Sequence, residues 1–370
     1  MIILVKDEKV KGFISINNRI LSILVFSLYF SWLLAVPFEG QILYAFGSKY
    51  ELNISPMVFS SIAAHLLGLI ISGFFIKNIN SAKTLMLLSI VIVIAGNFVF
   101  FFKASIFWNI SLVITAFLAG ASVSAWGFFF RRYTPPDKRL NTAANVLIYS
   151  NILMIALNMT AVHITSEAGL AFAQILLAGA LFFTFKLPVD ALSDHGDYLK
   201  ITKNINLVKP FALLFLFIFI ITINSGLMYQ VFNPAFAHLE SIVSWYWAVP
   251  YIIALFIMRN LPEKTNRTYI LYVVIAMIGL SFVFFMTFDH SIPSYFLINT
   301  LMLGACGVYD IFWWSILGSM LDYYENPARV LGWGLSANVL GVLVGGMAGK
   351  CYYQYGCSIY SLIIKHLTAG

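Results

Sequence analysis

Charge is what this chain has least of. Asp, Glu, Lys and Arg together make up 10% of its 370 residues, against about 25% in an ordinary soluble domain, which excludes a solvated globular fold. Cysteine is scarcer still, with three residues. Cys306 falls inside an apolar run, and Cys351 and Cys357 sit at the last one, either bridged on an oxidising side or present as small unpaired residues. No phosphate loop, nucleophile–base pair or metal-ligand cluster can be found, so nothing points to an enzyme, a cofactor or a metal. The opening MIILVKDEKVKGFISINNR has charge before the first apolar run but no short core with a cleavage site, so no cleavable signal peptide is expected.

Hydrophobicity fills the space that charge leaves. The sequence is 61% apolar with a mean hydropathy of +0.89, and apolar runs long enough to cross a ~30 Å hydrocarbon core recur throughout. They lie near residues 20–45, 53–76, 83–102, 106–130, 141–164, 167–186, 210–233, 240–258, 268–288, 292–321, 330–349 and 351–366. This predicts an all-α polytopic membrane protein with about 12 transmembrane helices, whose partners are the lipid bilayer and a small-molecule ligand or substrate. The last run is the poorest, being short and interrupted by Gly356.

Basic residues set the expected orientation. With the N-terminus in the cytoplasm, the inner segments hold 19 of the 22 Lys and Arg, and only Lys49, Lys103 and Lys350 lie outside. The net charge of +7 therefore reads as topology, and no nucleic acid is expected to bind this chain. A multi-pass protein of a bacterial inner membrane follows as the expectation.

The longest polar segment, residues 187–209, divides the runs six and six: an N-terminal half at 1–186 and a C-terminal half at 210–370, its last helix short. Ala144-Asn145-Val146-Leu147 in the fifth run recurs as Ala337-Asn338-Val339-Leu340 in the eleventh. Each follows an inner loop that contains proline and ends in arginine, at Arg139 and Arg329. Such repeats are how many transporters are built.

Six plus six spans with a long middle loop resemble the major facilitator superfamily. That resemblance implies alternating access about a central site. The family's first inner loop usually carries an Asp-Arg pair after a glycine, and that Asp helps latch one conformation. Here Gly73 leads to Lys77-Asn78 without an Asp, and the second half has Met258-Arg259 in the corresponding place, which puts ordinary gating in question. Three phrases, GLMYQVFNPAF, NRTYILYVVIAMIGLSF and the stretch from Leu301 to Gly346, resemble the membrane part of bacterial LuxR-type regulators over much of residues 209–349. In those proteins a DNA-binding helix-turn-helix domain follows, and no such domain is present in these 370 residues. Two functions are thus implied: a transporter of a small organic solute, proton-linked through an acid, and a ligand-sensing membrane module truncated before its output domain.

Two acids fall inside the runs, Asp310 at mid-span and Glu39 between Pro37 and Gly40. Intramembrane acids usually face a bundle interior or a water-filled path, so both are candidates to bind substrate or proton. With no Lys or Arg at mid-membrane, they favour a proton or a cation over an anion. Asn224, before Ser225-Gly226 in a helix expected to loosen, and His65 are further candidates. Trp126 and Trp313 are candidates to stack on a ligand. The competing reading makes His65 a packing histidine, Asn97, Asn145, Asn151, Asn158, Asn299 and Asn338 interhelical glue, and Trp245-Tyr246-Trp247 an interfacial belt. The glycines from Gly341 to Gly349 predict close helix approach.

Overall fold

The computed structural model describes residues 17–38, 40–189, 208–262 and 267–368, with 267–268 and 352–368 as backbone only. Among them, eleven helical segments are long and apolar enough to span a membrane, so this is an all-α multi-pass membrane protein.

Local chemistry sets the breaks. The first helix, α1 (Asn18–Ala35), starts where Asn17 accepts the Arg19 backbone N–H at 2.9 Å, a standard N-cap. It stops just before Pro37, which has no N–H to give and restrains the residue ahead of it. The freed Pro37 carbonyl accepts a hydrogen bond from Ser61 Oγ at 2.9 Å, and the chain restarts at Gly40 as α2 (Gln41–Lys49). The run expected at 20–45 is therefore two helices. Next come α3 (Ser55–Phe75), α4 (Ile79–Asn97), α5 (Ile106–Tyr133), α6 (Arg139–His163) and α7 (Ser166–Lys186). A reciprocal capping box between Asn78 and Ser81 opens α4.

Beyond the middle segment, α8 (Val208–Leu227) widens into a π turn at Met228–Phe232 and ends in the short α9 (Asn233–Ala235). The run expected at 240–258 is split into α10 (Glu240–Tyr246) and α11 (Val249–Arg259), with Pro250 in the first turn of the second. Last come α12 (Arg267–Thr287), α13 (Ile292–Met320) and α14 (Pro327–Thr368). The run expected at 351–366 is not a separate helix, because α14 continues through it. Side chains there, Cys357 included, lie outside the described residues.

Small residues decide which helices pair. A Cβ on Gly120 would strike the His65 carbonyl, and one on Gly68 the Phe117 carbonyl, so α3 and α5 run backbone to backbone. Gly226 lies against Val342 and Gly346, and Gly345 against Ile223, which presses α14 onto α8. The expected glycine stripe is used in this way. The helices up to α7 pack mainly among themselves, as do those from α8 on, and two seams join them: α14 with α3 and α5, and α6 with α10, α11 and α13. On the outside, α12 turns Val273, Ile275, Leu280, Val283 and Met286 away from the bundle, a face that needs lipid as its solvent. The starts of α4 and α6 and the ends of α5, α7 and α11 collect Lys83, Arg139, Arg131, Lys186 and Arg259 at one end of the bundle, here called the basic end.

Candidate functional site

Between the seams lies a cavity of about 180 Å³. Among the polar groups that line it is Asp310. Gly307 lies one turn before it on α13, and a Cβ there would sit 2.8 Å from the Tyr251 carbonyl. The missing side chain lets α11 close on α13 and bring the Tyr251 hydroxyl to Asp310 Oδ2 at 2.7 Å. The other oxygen, Oδ1, accepts from the Trp313 indole N–H at 3.1 Å, three residues along the same helix. Two neutral donors hold the carboxylate, and among the described residues no Lys or Arg lines the cavity.

The floor is aromatic. Trp313 and Trp314 stack at 5.5 Å, and Trp314 meets Trp126 edge-on at 6.4 Å. Trp126 in turn is sandwiched between Phe26 at 4.2 Å and Phe130 at 4.6 Å and donates to Ser22 Oγ at 3.0 Å. From this floor the cavity runs away from the basic end, past Asn151 and Asn158 on α6, to Gln41, Asn233 and Trp247.

Below the floor the basic end is tied shut across the bundle. The Arg139 guanidinium, almost wholly buried, donates to Asp322 Oδ1 at 2.5 Å and to the carbonyls of Thr134 and Gly318. Arg131 reaches the carbonyls of Leu321, Tyr324 and Glu325 at 3.4, 2.9 and 3.3 Å, just past the end of α13. Asn326 works in both directions. Its Oδ1 caps α14 through the N–H groups of Ala328 and Arg329, while its Nδ2 donates to Gly73 and Ile76 carbonyls at the end of α3 at 2.9 and 2.8 Å. This is where the loop Asp of the family was missed, and an asparagine from the opposite loop makes the tie.

No family model matches the sequence, and no curated protein matches it. Solved structures do. The human organic anion transporter MFSD10 (TETRAN) is similar with a TM-score of 0.66 at 15% identity, over 91% of this chain and 92% of that one. A bacterial homologue of the iron transporter ferroportin, in an outward-facing state, gives 0.65 at 14%, over 90% and 91%. The nucleoside transporter NupG gives 0.59 at 16%, over 92% and 91%. The chain shares its fold with these transporter structures. At such identities the likeness is one of backbone arrangement alone. The LuxR-type resemblance rests on its phrases, with no curated match behind it.

Within this fold the sequence candidates separate. Asp310, His65 and Trp313 line the cavity. His65 is held by the Ala116 carbonyl at 3.2 Å and by the Phe38 ring edge at 5.1 Å, the geometry of a packing histidine. Trp126 is in the floor, one ring removed from the cavity. Asn224 lies just behind the wall, its Nδ2 on Met302 Sδ at 3.1 Å, while its neighbour Ser225 and its contact Cys306 line the space. Glu39 lies outside the described residues.

Several lining residues were not singled out as such. Trp247, read as belt, turns inward with Tyr251 one turn later, an i, i+4 pair legible in hindsight. Leu147, Asn151, Met154 and Asn158 form one stripe of α6 at helical spacing. Asn145 is glue, accepting from Arg259 at 2.6 Å.

Proposed function

We propose that this protein carries a small organic solute across a membrane by alternating access. Its halves, residues 1–186 and 210–370 joined by 187–209, rock about the cavity beside Asp310. The observation that carries this reading is an aromatic-floored cavity holding Asp310 and reaching toward one end of the bundle while the Arg139–Asp322 tie closes the other. Solute would enter past Gln41 and Asn233 and meet Asp310 on its Tyr251 and Trp313 donors. To release it on the other side, the Arg139, Arg131 and Asn326 ties must break while the Gln41 end closes. A solute can drive this only as far as it binds the second state more tightly than the first. Because no Lys or Arg among the described residues lines the cavity, a proton or a bound cation neutralises Asp310, and through this group protons are linked to transport. The basic end faces the cytoplasm of a bacterial inner membrane, as the 19 inner basic residues favour.

Cys306, a native thiol in the wall, provides the test. In a Cys351→Ser/Cys357→Ser background, a small membrane-impermeant maleimide should label Cys306 from both sides of the membrane. Gly73→Cys with Arg329→Cys would place β-carbons about 3.1 Å apart across the basic end, a few tenths of an ångström shorter than the usual disulfide separation, so a small outward shift of the two segments would let the bridge form. Oxidising that pair, in the same background, should block labelling from the basic side alone, and reduction should restore it. Access from one side only, under every condition, would make the chain a binding module that does not transport.

A further inference from the structure

We infer that the solute is an organic monocation with an apolar or aromatic body, its ammonium held by Asp310 between aromatic faces. This rests on the transporter reading of the same cavity. The charge balance of the site is one-sided. The Trp313 N–H can only donate, so Asp310 Oδ1 acts as an acceptor, and Oδ2 accepts from Tyr251. A carboxylate has about four lone-pair positions, so about two remain for a ligand. Burying a charge without a partner is costly, and among the described residues the lining supplies no Lys or Arg. The one lining imidazole, His65, is engaged with the Ala116 carbonyl. The compensating positive charge arrives with the solute, which exchanges for the proton that neutralises the empty site.

The same inventory rejects the other classes. An anion would be repelled by Asp310 and would find no guanidinium or ammonium to hold it. A metal cation wants several oxygen, nitrogen or sulfur ligands, and among the described residues no three His, Cys, Asp or Glu are grouped to provide them. Tyr251 and Trp313 hold Asp310, and the cavity it lines carries further ring surface from Trp247, Trp314 and Tyr229; aromatic faces attract organic cations while burying their apolar parts. The cavity of about 180 Å³ compares with the ~150 Å³ that admits a benzene ring. A second polar anchor lies nearer the mouth. Asn158 lines the cavity, is 4% exposed, and its Oδ1 is a buried acceptor without a partner. Left so, it costs free energy. A donor on the solute would satisfy it.

Three probes of similar shape separate the classes: 2-phenylethylammonium, 2-phenylethanol and phenylacetate, titrated against the full chain in lipid nanodiscs by tryptophan fluorescence. The ammonium should bind about 10- to 100-fold tighter than the alcohol, as a charge-assisted hydrogen bond would give, and phenylacetate should bind weakest. Asp310→Asn should bring the ammonium down to the affinity of the alcohol while leaving the alcohol unchanged, which also shows that the cavity still folds. Asn158→Ala should weaken the ammonium several-fold. Phenylacetate binding as tightly as the ammonium, an alcohol of equal affinity, no ammonium binding, or an unchanged Asp310→Asn variant would each overturn the inference. Two-sided Cys306 labelling is read without any probe. Alternation with an anion preference would sink the solute class alone, and tight ammonium binding with one-sided Cys306 would sink transport alone.

Discussion

Arg139→Ala should unlock the basic end. The guanidinium side chain is 3% exposed and its partner Asp322 is 21% exposed, so the pair is desolvated on one side and partly wet on the other. Breaking a fully buried pair costs roughly 3–5 kcal/mol, because a charge is left behind without its partner. Asp322 keeps some water, so the low end applies, about 2–3 kcal/mol, with the Gly318 carbonyl also losing its donor. The tie joins α6 to the end of α13 and must be absent once the basic end is open. Its loss therefore falls on the closed state, and at about 1.4 kcal/mol per decade the closed-to-open ratio drops roughly 30- to 150-fold. If opening precedes modification in a fast equilibrium, the rate of Cys306 labelling from the basic side should rise by the same factor. Arg139→Lys keeps the charge but loses the planar fork and should fall in between. Arg139→Ala combined with Asp322→Ala should labilise the end by less than the two changes added, since both remove one interaction. A folded Arg139→Ala protein whose basic-side labelling stays within twofold of the parent would refute this account of the closed end.

Four further outcomes follow from the packing and the loops. Gly345→Val drives a branched side chain into the Ile223 carbonyl and should cost about 3 kcal/mol or more, at the upper end of overpacking effects, read as a lower Tm in detergent. Trp126→Ala empties a wholly buried site beneath the cavity and should cost about 3–5 kcal/mol; a melting temperature unchanged from the parent would contradict the floor. Hydrogen bonds from Ser294 and then Ser291 hold the Asp289 carboxyl below its ordinary 3.8. A lowered folded value stabilises above the unfolded pKa and is lost as pH falls through the folded one, so Ser294→Ala should raise the Asp289 pKa and shrink that contribution above pH ~4, checked by melting from pH 3 to 7. A reporter inserted after Lys200 should be cytoplasmic and one after Lys103 external; finding both on one side would reject the six-plus-six topology.

Sequence alone determined the class of fold, because a chain so poor in charge and so rich in long apolar runs has no stable form outside a bilayer, and inside one only helices or closed barrels satisfy the backbone. It also marked Asp310, since a carboxylate amid apolar neighbours stands out in one dimension. The glycine stripe of α14 was legible for the same reason, as small residues at helical spacing have few other uses. Tertiary structure decided the rest. Trp247 and Tyr251 look like any aromatic pair until the break before Pro250 turns them inward. Trp126 and Trp313 are alike in sequence, yet one faces the cavity and the other supports its floor. Arg139 and Asp322 are 183 positions apart, and Asn326 meets Gly73 across 253. No local pattern encodes such distances. They arise only when α13 and α14 fold back against α3, α5 and α6, and that seam both closes the basic end and leaves Asp310 facing open space.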